Sequence, residues 1–214
     1  MAFYQEQRVQ FAKNISALKA DLTNALYESM SYRSRDDDLT LTGSAALYMQ
    51  GWPRLPQDID FSVWNAQVFN LFSSQLMSYP PHIGVISLSA TSHRLESQGQ
   101  VIDIILAGPL YEPYTLTVAD ICAESYQHVM LRKLKDRVGP LTIHDWLDCL
   151  FLSTKDYPCF KEILCSLVPS RRRAIYDLTM QRKNLEVAPQ LSIDGYNITP
   201  NDVENFSTLL SNLL

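Results

Sequence analysis

The sequence lacks any run approaching the ~20 apolar residues that a membrane-spanning helix needs. Residues 1–19 mix Gln, Glu, Arg and Lys among apolar residues, so the apolar core of a secretory signal is missing as well. Cysteine is scarce. Cys122, Cys149, Cys159 and Cys165 form no CxxC pair and stand beside no histidine cluster. That argues against a zinc knuckle or a disulfide framework and for free thiols in a reducing, cytoplasmic setting. No repeat or low-complexity tract is present. A basic excess is lacking too: 18 Lys and Arg face 23 Asp and Glu, a formal charge of −5. This excludes a histone-like polycation, but not a nucleic-acid partner, which needs a basic patch rather than a basic total.

What is present is ordinary for a globular protein: 46% hydrophobic and 19% charged residues in a chain of 214. That length allows one large domain or two small ones. The charge is uneven. Residues 130–183 hold 11 Lys and Arg against 6 Asp and Glu, a local +5, which leaves −10 for the remainder.

Apolar residues at Phe3, Phe11, Ile15, Leu18, Leu22 and Leu26 predict a helix over 3–30. Asp36, Asp37 and Asp38 mark a polar, solvated loop. Leu39 to Thr42 reads as a short strand that Gly43 breaks, with Ser44 as the cap of a helix over 45–50. Residues 58–63 alternate, which predicts a strand with Asp58 and Asp60 on one side and Ile59 and Phe61 on the other. A helix is expected over 65–77 and strands over 83–90, 92–97 and 101–106. The linker-like Gly108-Pro109 and Glu112-Pro113 follow. Helical periodicity then covers 118–137, 142–154, 158–167 and 170–185. A last helix opens at Thr199-Pro200. The boundary between the two textures is expected near residue 110.

Three carboxylates concentrate the chemistry. Asp58 and Asp60 lie two apart on a strand and point to one face, where like charges repel. A divalent metal removes that penalty, and magnesium favours hard oxygen ligands together with substrate phosphates. Asp103, amid the apolar Val101 and Ile105, needs a partner; a strand paired beside Asp58–Asp60 would bring it to the same site. Three carboxylates could hold two magnesium ions, with manganese as a substitute. One ion would activate an attacking hydroxyl and the other would stabilise leaving pyrophosphate. Asp103 is the candidate for orienting or deprotonating the nucleophile. The Gly43-Ser44 turn, before free helix N–H groups, suits the triphosphate of a nucleotide.

At these residues the sequence resembles the nucleotidyltransferase superfamily with the polymerase-beta-like fold. More narrowly, it resembles the AbiEii/AbiGii-type toxin nucleotidyltransferases. Their first motif reads here as Gly43-Ser44-Ala45-Ala46-Leu47. Arg54 precedes Asp58-Ile59-Asp60 with one residue more than the family spacing, and Asp103 takes the third acidic position. A later motif matches Lys133, Asp145 and Asp148, with His144 where the family has Arg. The resemblance implies an α+β fold: a small mixed sheet with flanking helices, then a helical C-terminal region. Residues 1–110 would be the catalytic domain, and 111–214 a helical domain completing the nucleotide and acceptor cleft. It implies transfer of a nucleoside monophosphate from an NTP to a hydroxyl, with RNA such as tRNA as acceptor, and an antitoxin protein as partner in a toxin–antitoxin system.

Lys133 and Arg137, four apart on one helix face, read as triphosphate or RNA contacts, or as a solvated basic face. Asp145 and Asp148 read as partners of Lys133 or as substrate support. Arg171, Arg172, Arg173, Arg182 and Lys183 read as phosphate contacts or as a solvated helix end. His82, His93, His128 and His144 lie on different elements, and none is taken as a ligand, although His144 could touch substrate. Two alternatives stand beside the transferase: a DxD metal-dependent glycosyltransferase, and a non-catalytic module that binds nucleotide or antitoxin through the same fold.

Overall fold

The computed structural model describes residues 2–30, 38–74, 81–107, 115–118, 120–136, 139–183, 191–193 and 196–213. It divides into two compact units. One comprises Met1–Gly51 and Leu55–Ser125; the other comprises Trp52–Arg54 and Tyr126–Leu214.

The first unit opens with helix α1 (Ala2–Met30). Ile15 and Leu22, seven apart and so on one face, are fully buried with Ala12 beside them. Phe11 sets its ring edge-on to Tyr48 at 5.2 Å. Then come β1 (Thr40–Thr42), α2 (Gly43–Met49), β2 (Asp58–Val63), α3 (Ala66–Ser74), β3 (Ile83–Leu88), β4 (Ser92–Ser97), β5 (Gln100–Leu106), β6 (Thr115–Val118) and β7 (Ile121–Glu124). The seven strands form one mixed sheet in the order β3-β4-β5-β2-β1-β7-β6. β2 runs antiparallel to β1 and parallel to β5. Alternation decides the faces: Ile59, Phe61, Ile102 and Ile104 are buried on one side, which leaves Asp58, Asp60 and Asp103 on the other. The β4–β5 turn uses Gln98 and Gly99, with φ of +53° and +79°, the double left-handed geometry of a tight hairpin.

Most of these elements match the expected ones; one stretch does not. A helix was expected from residue 118 on, but Val118 ends β6 and Ile121–Glu124 pairs back on it as β7, with Asp120 at φ +64° before it. Each strand is four residues long, too short for alternation to show, and their apolar residues merge with those of the following helix. β7 is placed by tertiary pairing: it runs parallel to β1, with Leu41 opposite Ala123, both fully buried.

The second unit holds α4 (Tyr126–Lys135), α5 (Ile143–Lys155), α6 (Tyr157–Ser166), α7 (Pro169–Lys183) and α8 (Pro200–Ser211). It also holds a hairpin of β8 (Leu191–Ile193) and β9 (Tyr196–Ile198) that periodicity did not reveal. Capping boxes start α5 at Thr142 with Asp145, and α8 at Thr199 with Asp202. α5 is the hub, packing against α4, α6, α7 and α8. The Trp146 indole donates to Thr179 Oγ1 at 3.0 Å inside that core. The segment Trp52–Arg54 joins this unit through aromatic contact: Trp52 lies 5.0 Å from the Phe151 ring and 5.4 Å from Tyr126. Among the described residues, no helix is long and apolar enough to cross a membrane.

Candidate functional site

The parallel pairing of β2 with β5 sets Asp60 directly opposite Asp103. Asp58 lies two residues earlier on the same face. One oxygen of each carboxylate lies within 4.8 Å of the others, and all three residues are half-buried. Among the described residues, no other such group of three is found. Three carboxylates this close are costly when ionised together. Burial, with Asp58 adding to it, raises the proton affinity of Asp103 above the ordinary carboxylate value, while Arg94 opposes the shift. Hard oxygen donors in this grouping fit a divalent cation of the magnesium type.

Arg94 is the partner that Asp103 was expected to need. The β4–β5 register puts Arg94 opposite Asp103, and its Nη1 lies 3.6 Å from Asp103 Oδ2. The arginine side chain is 47% exposed, so this pair is partly screened. Sequence reasoning missed it. The signal was available: β4 alternates, with Leu95 and His93 inward and Arg94 and Glu96 outward.

Gly43 approaches the carboxylates more closely than any side chain would permit. β1 pairs with β2 so that Thr42 faces Asp60. Gly43 follows with φ +62°, and a Cβ added there would sit 2.1 Å from Asp60 Oδ2. The residue must therefore be glycine both for its left-handed backbone and for the space. Ser44 does not occupy the cap position expected of it. The tight turn at Gly43 starts α2 earlier, and Thr42 is its N-cap residue, without a side-chain cap bond. The Thr42 hydroxyl donates instead to the Glu124 carboxylate, which is fully buried on β7. Gln50 Nε2 also donates to the Glu124 carbonyl oxygen at 2.8 Å. Asp38 is buried as well, unlike the solvated loop residue it was taken for; Asp36 and Asp37 lie outside the described residues.

The remaining motif residues gather in the second unit. Lys133 Nζ lies 3.6 Å from Asp145 Oδ1 and closer still to Asp148 Oδ2. Both aspartates are buried and the lysine side chain is 16% exposed. Asp145 serves twice, since its Oδ2 accepts from the Thr142 N–H at 2.7 Å and from the Thr142 hydroxyl at 2.8 Å. Tyr196 donates to Asp148 Oδ1 at 2.5 Å. Burial and the Asp148 charge push the Tyr196 phenol up, and a hydrogen bond from buried Arg54 pulls against them. Arg54 of the first motif and Lys133, Asp145 and Asp148 of the later one thus share a network that also recruits Tyr196. His144 is half-buried on α5. Arg137 lies outside the described residues. Arg171 donates to the Gly139 carbonyl at 2.7 Å, and Arg173 pairs with Asp177 at 2.9 Å, so part of the basic run has local partners.

This network predicts a stability effect. Asp148→Asn leaves the mostly buried Lys133 ammonium short of its nearest counter-charge, which costs about 3–5 kcal/mol. Tyr196→Phe removes the bond donated to Asp148 and the one accepted from Arg54, a loss of about 1–3 kcal/mol. Urea unfolding midpoints of the two variants test the ranking; equal midpoints would show that the Lys133–Asp148 pair adds nothing beyond the tyrosine bond.

Neither a protein-family model nor a curated protein matches the sequence. Solved structures do. A Helicobacter pylori protein described as a candidate nucleotidyltransferase superposes with a TM-score of 0.54 at 14% identity, covering 97% of this chain and 95% of that one. The H. pylori protein JHP933 superposes with a TM-score of 0.53 at 13% identity, over 97% of this chain and 92% of its own. The likeness runs through both units rather than stopping at the sheet, and the chain accordingly has a nucleotidyltransferase-like fold.

Proposed function

We propose that the protein is a magnesium-dependent nucleotidyltransferase that moves a nucleoside monophosphate from an NTP to a hydroxyl group, with RNA such as tRNA as the acceptor. The observation that carries this reading is the juxtaposition of Asp58, Asp60 and Asp103 beside the glycine turn at Gly43, on a nucleotidyltransferase-like fold. Asp58 and Asp60 would hold the metal, with Asp103 as the third ligand. When bound, the ions neutralise the triphosphate and lower the barrier to its displacement.

The residues themselves supply position and proton transfer. Asp103, opposite Asp60 and aligned by Arg94, orients the acceptor hydroxyl and takes its proton. The hydroxyl oxygen bonds to the α-phosphorus, the bond between the α-phosphorus and the bridging oxygen breaks, and pyrophosphate leaves. Gly43 keeps the backbone close to the reacting phosphate without displacing Asp60. The second unit carries the family-like Lys133, which the two aspartates and Tyr196 hold in one geometry rather than leaving it a mobile surface charge. The local +5 of residues 130–183 supports an anionic acceptor. The resemblance to the AbiEii type supports a toxin paired with an antitoxin.

Incubation with each α-labelled NTP, magnesium and total RNA tests this directly. The expected result is label in RNA from one preferred NTP, lost on chelation of the metal. Label appearing only in protein or in small molecules would remove RNA as the acceptor, and no label with any NTP would remove the transferase.

A further inference from the structure

One row of the sheet passes straight through the carboxylates. Thr42, Asp60, Asp103, Arg94 and Ser87 lie directly opposite one another on successive strands, from β1 through β2, β5 and β4 to β3. Cross-strand partners share a face, so Arg94 stands on the same side of the sheet as the three aspartates, one strand spacing of about 4.8 Å beyond Asp103. A cation is exceptional here. Residues 38–125 hold eight Asp and Glu against two Arg and no Lys, and one of those arginines, Arg54, belongs to the other unit. The Arg94 side chain is 47% exposed, and its Nη1 lies 3.6 Å from Asp103 Oδ2, just beyond hydrogen-bond length. Aligning Asp103 therefore leaves most of the five-donor guanidinium available to a second partner.

We propose that Arg94 is the residue that selects a nucleic-acid acceptor, by holding the backbone phosphate next to the hydroxyl that Asp103 activates. This rests on the transferase reading above and adds the acceptor side of the same site. In an in-line displacement the attacking and leaving oxygens lie on opposite sides of the phosphorus. The reacting phosphate is assigned to the Gly43 turn, at the β1 end of the row. The acceptor then comes from the β4 end, and Arg94 is the charge it meets there. A guanidinium suits the task, because its planar fork matches two phosphate oxygens. A sugar or peptide hydroxyl brings no anion to that position. The neighbours set the path. Glu96, two residues along β4 on the same face, repels a phosphate, whereas Ser92 on the other side of Arg94 and Ser87 opposite it are neutral and can donate. The acceptor chain therefore runs toward Ser87 and Ser92 and away from Glu96.

Steady-state labelling of total RNA, with RNA and NTP concentrations varied separately, tests this. Arg94→Gln is expected to raise KM for RNA about tenfold and to leave KM for NTP unchanged. The slope of log kcat/KM for RNA against log salt should become shallower by about 1, the value of one phosphate contact. Arg94→Lys should keep the wild-type slope, because the charge remains, with a KM for RNA between the two. A residue that only aligned Asp103 would lower kcat and move neither the RNA KM nor the slope. That outcome, or a rise in KM for NTP in place of RNA, overturns the proposal, while transfer to RNA by the wild type leaves the transferase standing. Wild-type label found only in protein or small molecules, or nowhere, overturns both. Circular dichroism checks folding; if Arg94→Gln does not fold, Arg94→Lys decides, and an unchanged KM for RNA overturns the proposal.

Discussion

An Asp60→Asn protein is expected to fold normally and to transfer no nucleotide above background. Asparagine keeps the shape of the side chain, so the register of β2 with β1 and β5 has no reason to change. What changes is charge. Asp60 is the middle member of the set: it lies two residues from Asp58 on one strand and directly opposite Asp103 on the next. Neutralising it removes a third of the negative charge that would hold a divalent ion. Losing one preorganised electrostatic contact of this kind typically costs about 10²–10³ in rate. Loss of the ion itself would cost more. A second readout separates the metal site from activity. A ligand that binds only the folded state raises its melting temperature, so magnesium or manganese should raise Tm for the wild type and not for Asp60→Asn. In metal-free buffer the variant should be no less stable than wild type, because removing one of three clustered like charges relieves repulsion. Full labelling by Asp60→Asn, or an unchanged metal-induced rise in Tm, would show that the carboxylates are not the metal site.

The site was legible in the sequence where a single strand carried the information. Asp58 and Asp60 sit on one face because side chains alternate, and no partner strand is needed to know it. Asp103 required one further step, that its strand lies beside β2, and the parallel register supplies it. The start of α8 at Thr199-Pro200 was visible for the same local reason. Features created by pairing across long sequence distances were not visible. Glu124 comes to the Thr42 hydroxyl from 82 residues away, on a strand that local periodicity assigned to a helix. Tyr196 reaches Asp148 from a three-residue strand too short to leave a pattern. Arg94 falls between these cases: alternation told which way it points, and only the β4–β5 register showed that Asp103 lies opposite. Lys133 shows a different limit. Its spacing to Asp145 and Asp148 was readable, but that both aspartates are buried around its ammonium follows only from how α4 and α5 pack.

Gly43→Ala is expected to disable the same site without touching a charge. Two costs add at this position. A residue with a Cβ at φ +62° pays roughly 1–2 kcal/mol for left-handed backbone. The added carbon would also lie 2.1 Å from Asp60 Oδ2 and 3.0 Å from its Cγ, far inside contact distance. Backbone cannot yield cheaply here, because Thr42 is held by the β1–β2 pairing and by its hydroxyl bond to buried Glu124. The carboxylate is therefore the part that moves. Rotating it away takes Asp60 out of the grouping with Asp58 and Asp103, and a displacement of about 1 Å in such a site can cost about 10² in rate. Stability should fall by no more than about 1–3 kcal/mol, since the side chain that moves is half-buried and can turn toward solvent. The signature is thus a large loss of labelling and of the metal-induced Tm rise with a modest loss of Tm. Ser44→Ala separates this effect from any general disturbance of the turn: it leaves the three carboxylates and the Gly43 backbone as they are, so it should retain most of the metal response. A Gly43→Ala protein with wild-type labelling would mean that Asp60 is not held where the transfer occurs. A protein that lost labelling but kept the metal-induced rise would instead place the role of Gly43 at the nucleotide.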